Sequence, residues 1–434
     1  MTIRLGRSLL GSAGLRIANA GLGFAVAVVL ARTLGADGYG LYSTAFVIAS
    51  VCAIVVQFGM PNLVMRETAT AAVSEDWEHM RAVWRWAGRG AAVFSLAVLA
   101  IGALVLFVLR DGMGTEQLWT YALALGLVPL LAFGALRAGA LRGLQHVVLA
   151  QVPEMIVKPG VMLALALMLG LAVPAKPSSA MAMQLAAVGL AFALGAVFLW
   201  QRRPFQLRGM KTWESVATGP LWKAALTMAL AAGMNQINNY ADILMIGLFW
   251  PAEEVGLYRV AYQISMLCAF GLQITSVVFS PTYAQLYRQG NVQKLQILLT
   301  RSALFSTGIA LLLALPWLFS GRLLTTWLFG PDFAASWAPT MILVVAQIMN
   351  ASFGPIGMLM NMTGFERYVA RFMTVAGATN LCLNFLLIPF YGAWGAATAT
   401  FVTLAIWNVG LWWMTRRHLL LNSHVLAAIK VVKR

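Results

Sequence analysis

The segment from Phe372 to Thr415 contains no Asp, Glu, Lys or Arg. One bilayer crossing needs about 20 apolar residues, so this segment is about twice as long as one span. In its middle, Pro389-Phe390-Tyr391-Gly392-Ala393-Trp394-Gly395 concentrates residues that turn a chain. The segment therefore predicts two membrane-spanning helices joined by a tight turn. The rest of the chain is of the same kind: 61% of the 434 residues are hydrophobic and 10% are charged, against about 25% charged in a typical soluble domain. In hydrocarbon every backbone polar group must be satisfied within the protein, which predicts an all-α polytopic membrane protein.

Charged residues and Gly/Pro clusters divide the sequence into twelve expected spans, near 9–31, 41–64, 90–109, 117–136, 147–171, 179–200, 221–249, 256–282, 301–320, 334–358, 368–389 and 394–415. The net charge of +16 is explained by Lys and Arg collecting in alternate connections, which puts both termini on the cytoplasmic side. No soluble basic domain exists to bind nucleic acid. The three cysteines, Cys52, Cys268 and Cys382, lie in apolar runs and form neither a disulfide framework nor a metal spacing. The first apolar run reaches about Ala31, too long for a signal h-region of about 7–15 residues, and is read as the first transmembrane helix. Ser74 to Arg89 has Trp77, Met80, Trp84 and Ala87 at helical spacing and is expected as a short helix on the inner surface. The tail after Leu419 ends in Lys430, Lys433 and Arg434 and is expected as an amphipathic segment near anionic headgroups.

Polar residues inside the spans are the functional candidates, because ionisable groups in hydrocarbon are costly and face protein or water. Asn235, Asn238, Asn239 and Asp242 fall at i, i+3, i+4 and i+7 and form one stripe on the seventh span. Ser12, Arg16, Asn19 and Gly23 form a matching face on the first. Arg16 lies roughly 13 Å along the helix beyond Arg7, at about 1.5 Å per residue. The other reading of the seventh-span stripe is helix-to-helix bonding, and that of Arg16 is snorkelling to the inner surface. Glu154 and Lys158, at i, i+4 between Pro153 and Pro159, are read as mutually neutralising, with ion coupling as the sharper alternative. Arg66, Arg137 and Arg142 lie at inner helix ends. They are candidates for a phosphate group or inner gate, since guanidinium forms a bidentate fork with phosphate oxygens, or they are ordinary inner-surface anchors.

Gly40-Leu41-Tyr42 and Gly256-Leu257-Tyr258 are 216 positions apart, about half the chain. The same offset pairs Asn19 with Asn235, Asp37 with Glu253 and Gln57 with Gln273. An even number of spans per half makes the repeats parallel, as in some secondary transporters. Three segments carry a family resemblance: Leu30-Ala31-Arg32-Thr33-Leu34-Gly35-Ala36-Asp37-Gly38-Tyr39-Gly40-Leu41-Tyr42, Asp242-Ile243-Leu244-Met245-Ile246-Gly247 with Glu254-Val255-Gly256-Leu257-Tyr258 and Ala261, and Pro389 to Thr400. On these the chain resembles the polysaccharide biosynthesis or O-antigen (Wzx-type) flippases of the multidrug/oligosaccharidyl-lipid/polysaccharide exporter superfamily. The resemblance implies two six-helix bundles around a central cavity lined largely by the first two helices of each half. The expected division is 1–200, a cytoplasmic linker 201–220, 221–415 and a basic tail 416–434.

No Walker A sequence, nucleophile motif or paired histidine is present, and no connection is large enough for a catalytic domain, so no enzyme activity, cofactor or metal is expected. The function implied is export of a lipid-linked (polyprenyl-diphosphate) oligosaccharide from the inner to the outer leaflet of a bacterial inner membrane. Arg16 is the favoured phosphate partner, and Asn19 and the seventh-span Asn residues hydrogen-bond the sugar. Asp242, Glu154 and Lys158 are ion-coupling candidates. Expected partners are the substrate, membrane lipids and other membrane proteins of polysaccharide assembly. The alternatives are a cation-coupled multidrug exporter of the same superfamily and a non-transporting scaffold of polysaccharide assembly. A peptidoglycan-precursor flippase is disfavoured by twelve rather than fourteen spans.

Overall fold

The computed structural model describes the backbone of residues 2–169, 176–207 and 218–425, and the side chains among them except those of 2–10, 13, 169 and 230–239. The described chain is built of helices. Eight are long and apolar enough to cross a membrane, or nine if the bent pair Ala252–Cys268 and Phe270–Arg288 is one span. Two of the eight are double-length. Gly14–Gln57 has 44 residues and Glu366–His418 has 53, and each is interrupted by one non-helical glycine, Gly35 (φ 69°) or Gly392 (φ 52°). Both φ values lie in the left-handed region, where a Cβ is penalised and glycine is not. The expected turn between the last two spans is thus centred on Gly392. Its broken ladder is re-satisfied by side chains: Ala393 N–H donates to Glu254 Oε2 at 3.1 Å, and Trp250 Nε1 donates to the Ile388 carbonyl at 2.7 Å.

Contacts divide the chain into two compact units. The first comprises 1–34 with 41–240, and the second 35–40 with 241–434. Within the first, Trp222 at the start of helix Thr218–Phe249 sits edge-on to Phe58, Trp86 and Phe94, with ring centroids 4.8 to 5.8 Å apart. Within the second, a buried cluster of Tyr283, Leu295, Leu299 and Leu359 is completed by Leu419 and Leu421.

Two expectations are corrected here. Ser74 to Arg89 is not a separate surface helix: Trp77 begins a continuous helix, Trp77–Leu109, capped by Asp76, which accepts from the His79 N–H at 3.0 Å. Met80 and Ala87 are buried, so the amphipathic spacing reads packing against protein. Nor does the tail begin as a helix. After His418 the chain is non-helical through Val425, and 426–434 lie outside the described residues. Gln296 holds Asn422 at both backbone groups (2.7 and 2.8 Å), Trp412 donates to the Asn422 side chain at 2.9 Å, and Val425 N–H donates to the Ser352 carbonyl. The Asn422 backbone N–H and carbonyl thus find protein partners, whereas the buried Ser423 hydroxyl has none among the described residues.

Candidate functional site

In the second unit the expected stripe ends in a closed polar cluster. Asp242 is buried, and its carboxylate accepts from three side chains on two other helices. Asn384 Nδ2 donates to Oδ1 at 2.5 Å, Thr400 donates to Oδ2 at 2.9 Å, and the Tyr258 hydroxyl donates to the same oxygen. Asn384 Nδ2 also lies 3.0 Å from Asn380 Oδ1, while Asn384 Oδ1 is buried with no hydrogen-bond partner. The break at Gly392 makes this possible: it places Asn384 before the turn and Thr400 after it on the same carboxylate. Among the described residues no cation forms an ion pair with Asp242. Three side-chain donors satisfy its oxygens instead.

The first unit holds a paired counterpart without the acid. The Tyr42 hydroxyl donates to Gln184 at 3.1 Å, and both are buried. Shifted by 216 positions this pair becomes Tyr258 and Thr400, which lie 3.5 Å apart. The repeat is therefore present as a contact as well as a motif. The positions corresponding to Asp242 and Asn384 are Val26 and Met168, so only the second copy carries an acid there.

The charged candidates of the first unit divide into separate environments. Arg137 is buried at 5% exposure. Its Nη1 donates to the Ala191 and Phe192 carbonyls at 2.9 and 3.1 Å, and its Nη2 lies 3.4 Å from Glu154. Glu154 also faces Lys158 at 3.6 Å, so the three form one ion chain. The π-helical turn Pro153–Val157 displays Glu154, and Gly195 makes room for Arg137: a Cβ there would lie 1.7 Å from Nη1. Arg66 is instead an exposed group paired with Glu67 at 2.8 Å, and Glu67 also meets His79 at 3.1 Å. Burial raises the Glu67 carboxyl, but its bonds and charge contacts with Arg66 and His79 outweigh that and hold it below the usual glutamate range. Arg142 is half-buried and donates to the Ala138 carbonyl of its own helix. These three arginines do not form one cluster.

Arg16 is half-buried, with a buried Nε that has no hydrogen-bond partner. Asn19 is exposed and Ser12 buried. Asn235, Asn238 and Asn239 lie on the helix Thr218–Phe249, and their side chains are outside the described set. Sequence reasoning missed Asn380 and Asn384. Their signal was available: two Asn at i, i+4 in a run with no charge. Tyr258 and Thr400 were read only as parts of architectural motifs.

The fold is that of known transporters. The structure of an inward-facing multidrug resistance MATE family transporter of the MOP superfamily superposes with a TM-score of 0.73 at 13% identity, covering 93% of this chain and 98% of that one. The lipid II flippase MurJ, inward closed, gives 0.69 at 14% identity over 93% and 87%. In sequence, the chain is 27% identical over 179 residues to the "Probable flippase AglR" of Haloferax volcanii, covering 39% of this chain and 36% of that protein. It is 24% identical over 200 residues to the "Probable low-salt glycan biosynthesis flippase Agl15" of the same organism, covering 45% and 39%. An uncharacterized membrane protein of Methanocaldococcus jannaschii is 26% identical over 201 residues, covering 45% and 39%. The matches thus span well under half the length of these relatives. The polysaccharide biosynthesis protein family matches residues 5–287, most of the chain, and the chain belongs to that family.

Proposed function

We propose that this protein is a flippase that carries a lipid-linked (polyprenyl-diphosphate) oligosaccharide from the inner to the outer leaflet of a bacterial inner membrane by alternating access. Membership of the polysaccharide biosynthesis family over residues 5–287 carries this reading, and the names of the glycan-pathway relatives support it. The physical task is to move a sugar and diphosphate head that hydrocarbon excludes. Arg16, with an unsatisfied buried Nε, is the proposed phosphate partner, with Asn19, Asn235, Asn238 and Asn239 as hydrogen-bonding groups for the sugar. An inside-negative potential favours outward movement of an anion by about 2.3 kcal/mol per charge per 100 mV.

The proposed topology has twelve spans in two six-helix repeats. Nine candidates, counting the bent pair once, are joined by one more from each glycine-broken helix and by Thr218–Phe249. With the basic connections inside, both termini are cytoplasmic. Asp242 is the favoured ion-coupling group, since Glu154 is already matched by Arg137 and Lys158.

Complementation tests the reading. In a strain that lacks its own flippase, the wild-type chain is expected to restore surface polysaccharide, and Arg16→Ala and Asp242→Asn are expected to fail at equal protein level. Normal polysaccharide in both variants would remove the proposed site. Restored drug resistance without polysaccharide would move the assignment to a multidrug exporter.

A further inference from the structure

The first unit contains an apolar cavity of about 370 Å³ between the first half of Trp77–Leu109 and the ends of Thr115–Gly143 and Pro177–Arg202. Its wall includes Phe133, Phe192, Ala196, Trp84 and the exposed Trp200. Two charged residues also line it, Arg137 and Arg203, and each has a buried Nε with no hydrogen-bond partner among the described residues. Arg137 is fixed by the Ala191 and Phe192 carbonyls and by Glu154, so its charge is already held by protein groups. Arg203 is half-buried, its guanidinium carbon 5.7 Å from the Trp200 ring centre, and it forms no ion pair among the described residues.

A guanidinium that is partly withdrawn from water beside an apolar wall, and that has no counter-ion among the described residues, calls for an anionic acceptor. A free anion would answer the charge but leave the aromatic and aliphatic wall without a partner. A purely apolar chain would fill the wall but leave the Arg203 charge unmet. One molecule supplies both: a phosphate, which guanidinium binds well, attached to an acyl chain. Trp200 at the mouth fits such a site, since tryptophan is enriched where lipid headgroups meet hydrocarbon.

We infer that this cavity is a binding site for an anionic phospholipid of the surrounding bilayer, with the phosphate held by the Arg203 guanidinium and part of an acyl chain in the slot. None of the proposed transport residues is among those that line it, and the inference stands whether or not the chain is a flippase.

Native mass spectrometry of the delipidated full-length protein tests it, with phosphatidylglycerol and phosphatidylcholine of the same acyl chains. The wild type is expected to retain one phosphatidylglycerol about tenfold more tightly than phosphatidylcholine, the size of one charge-assisted hydrogen bond. Arg203→Gln, at a partly exposed position, is expected to abolish that preference while the protein stays folded. Ala196→Phe, which fills the slot, is expected to weaken both lipids. An undiminished preference in Arg203→Gln overturns the site. Competition by inorganic phosphate at the lipid's concentration would make it a free-anion site, and preferential retention of a polyprenyl phosphate would make it part of the substrate path. Either result overturns the phospholipid assignment.

Discussion

At the scale of single residues, the second unit depends on a buried acid that no cation neutralises among the described residues. Asp242 is held by Tyr258, Asn384 and Thr400. Removing a donor leaves the carboxylate under-satisfied, at a cost of about 1–3 kcal/mol. Tyr258→Phe is therefore expected to lower the unfolding midpoint in detergent, and much less so in an Asp242→Asn background. A double-mutant cycle should return a coupling above about 0.5 kcal/mol, whereas additive effects would show that the bond contributes nothing. Asp242 stood out in the sequence as a carboxylate in an apolar run, but its partners did not. They lie 16, 142 and 158 positions away, and residues on different helices meet by packing, which no local pattern encodes. Arg137 teaches the same point. Its charge beside an apolar run is readable, but its place inside the helix Thr115–Gly143 and the gap over Gly195 that admits its guanidinium are not.

At the scale of elements, the repeated Gly-Leu-Tyr motif marks a close helix crossing. A Cβ on Gly40 would lie 1.7 Å from the Ala252 carbonyl oxygen, and one on Gly256 would lie 2.2 Å from that of Ala36. Each glycine is four residues after its partner's contact point, Ala36 with Gly40 and Ala252 with Gly256, and a shift of 216 positions exchanges the two pairs. The contact is thus self-complementary, and small residues at this spacing let backbones approach closely. Gly40→Ala and Gly256→Ala should each destabilise the protein by about 1–3 kcal/mol, because backbone rather than a movable side chain must yield. Gly308→Ala, which meets nothing within 4 Å, is the control and should not. Thermal unfolding of the four proteins decides: equal midpoints would mean that the crossing is not tight. The double variant should cost less than the sum, since either substitution already forces the same segments apart. The sequence supplied the glycines and their repeat, and the structure supplied the reason they are glycine.

At the scale of the whole molecule, the twelve-span reading has a simple consequence: an even number of crossings leaves both ends on one side. A reporter phosphatase that works only outside the cytoplasm should be inactive when fused after Arg434 and active when inserted beside Asp111, between Trp77–Leu109 and Thr115–Gly143. An active fusion after Arg434 would overturn the topology. The sequence by itself determined that the chain is helical and multi-pass, because a bilayer admits few other solutions for chains this apolar. It also marked the turn near Gly392 and the two-copy pattern, since turn chemistry and periodicity are local properties. Only the tertiary structure decided that Trp77 starts a long helix, that the segment after His418 folds back onto Gln296 and Trp412, and that Asp242 is shut in by three donors. These outcomes depend on which distant side chains satisfy a buried polar group, and that is settled when the helices pack.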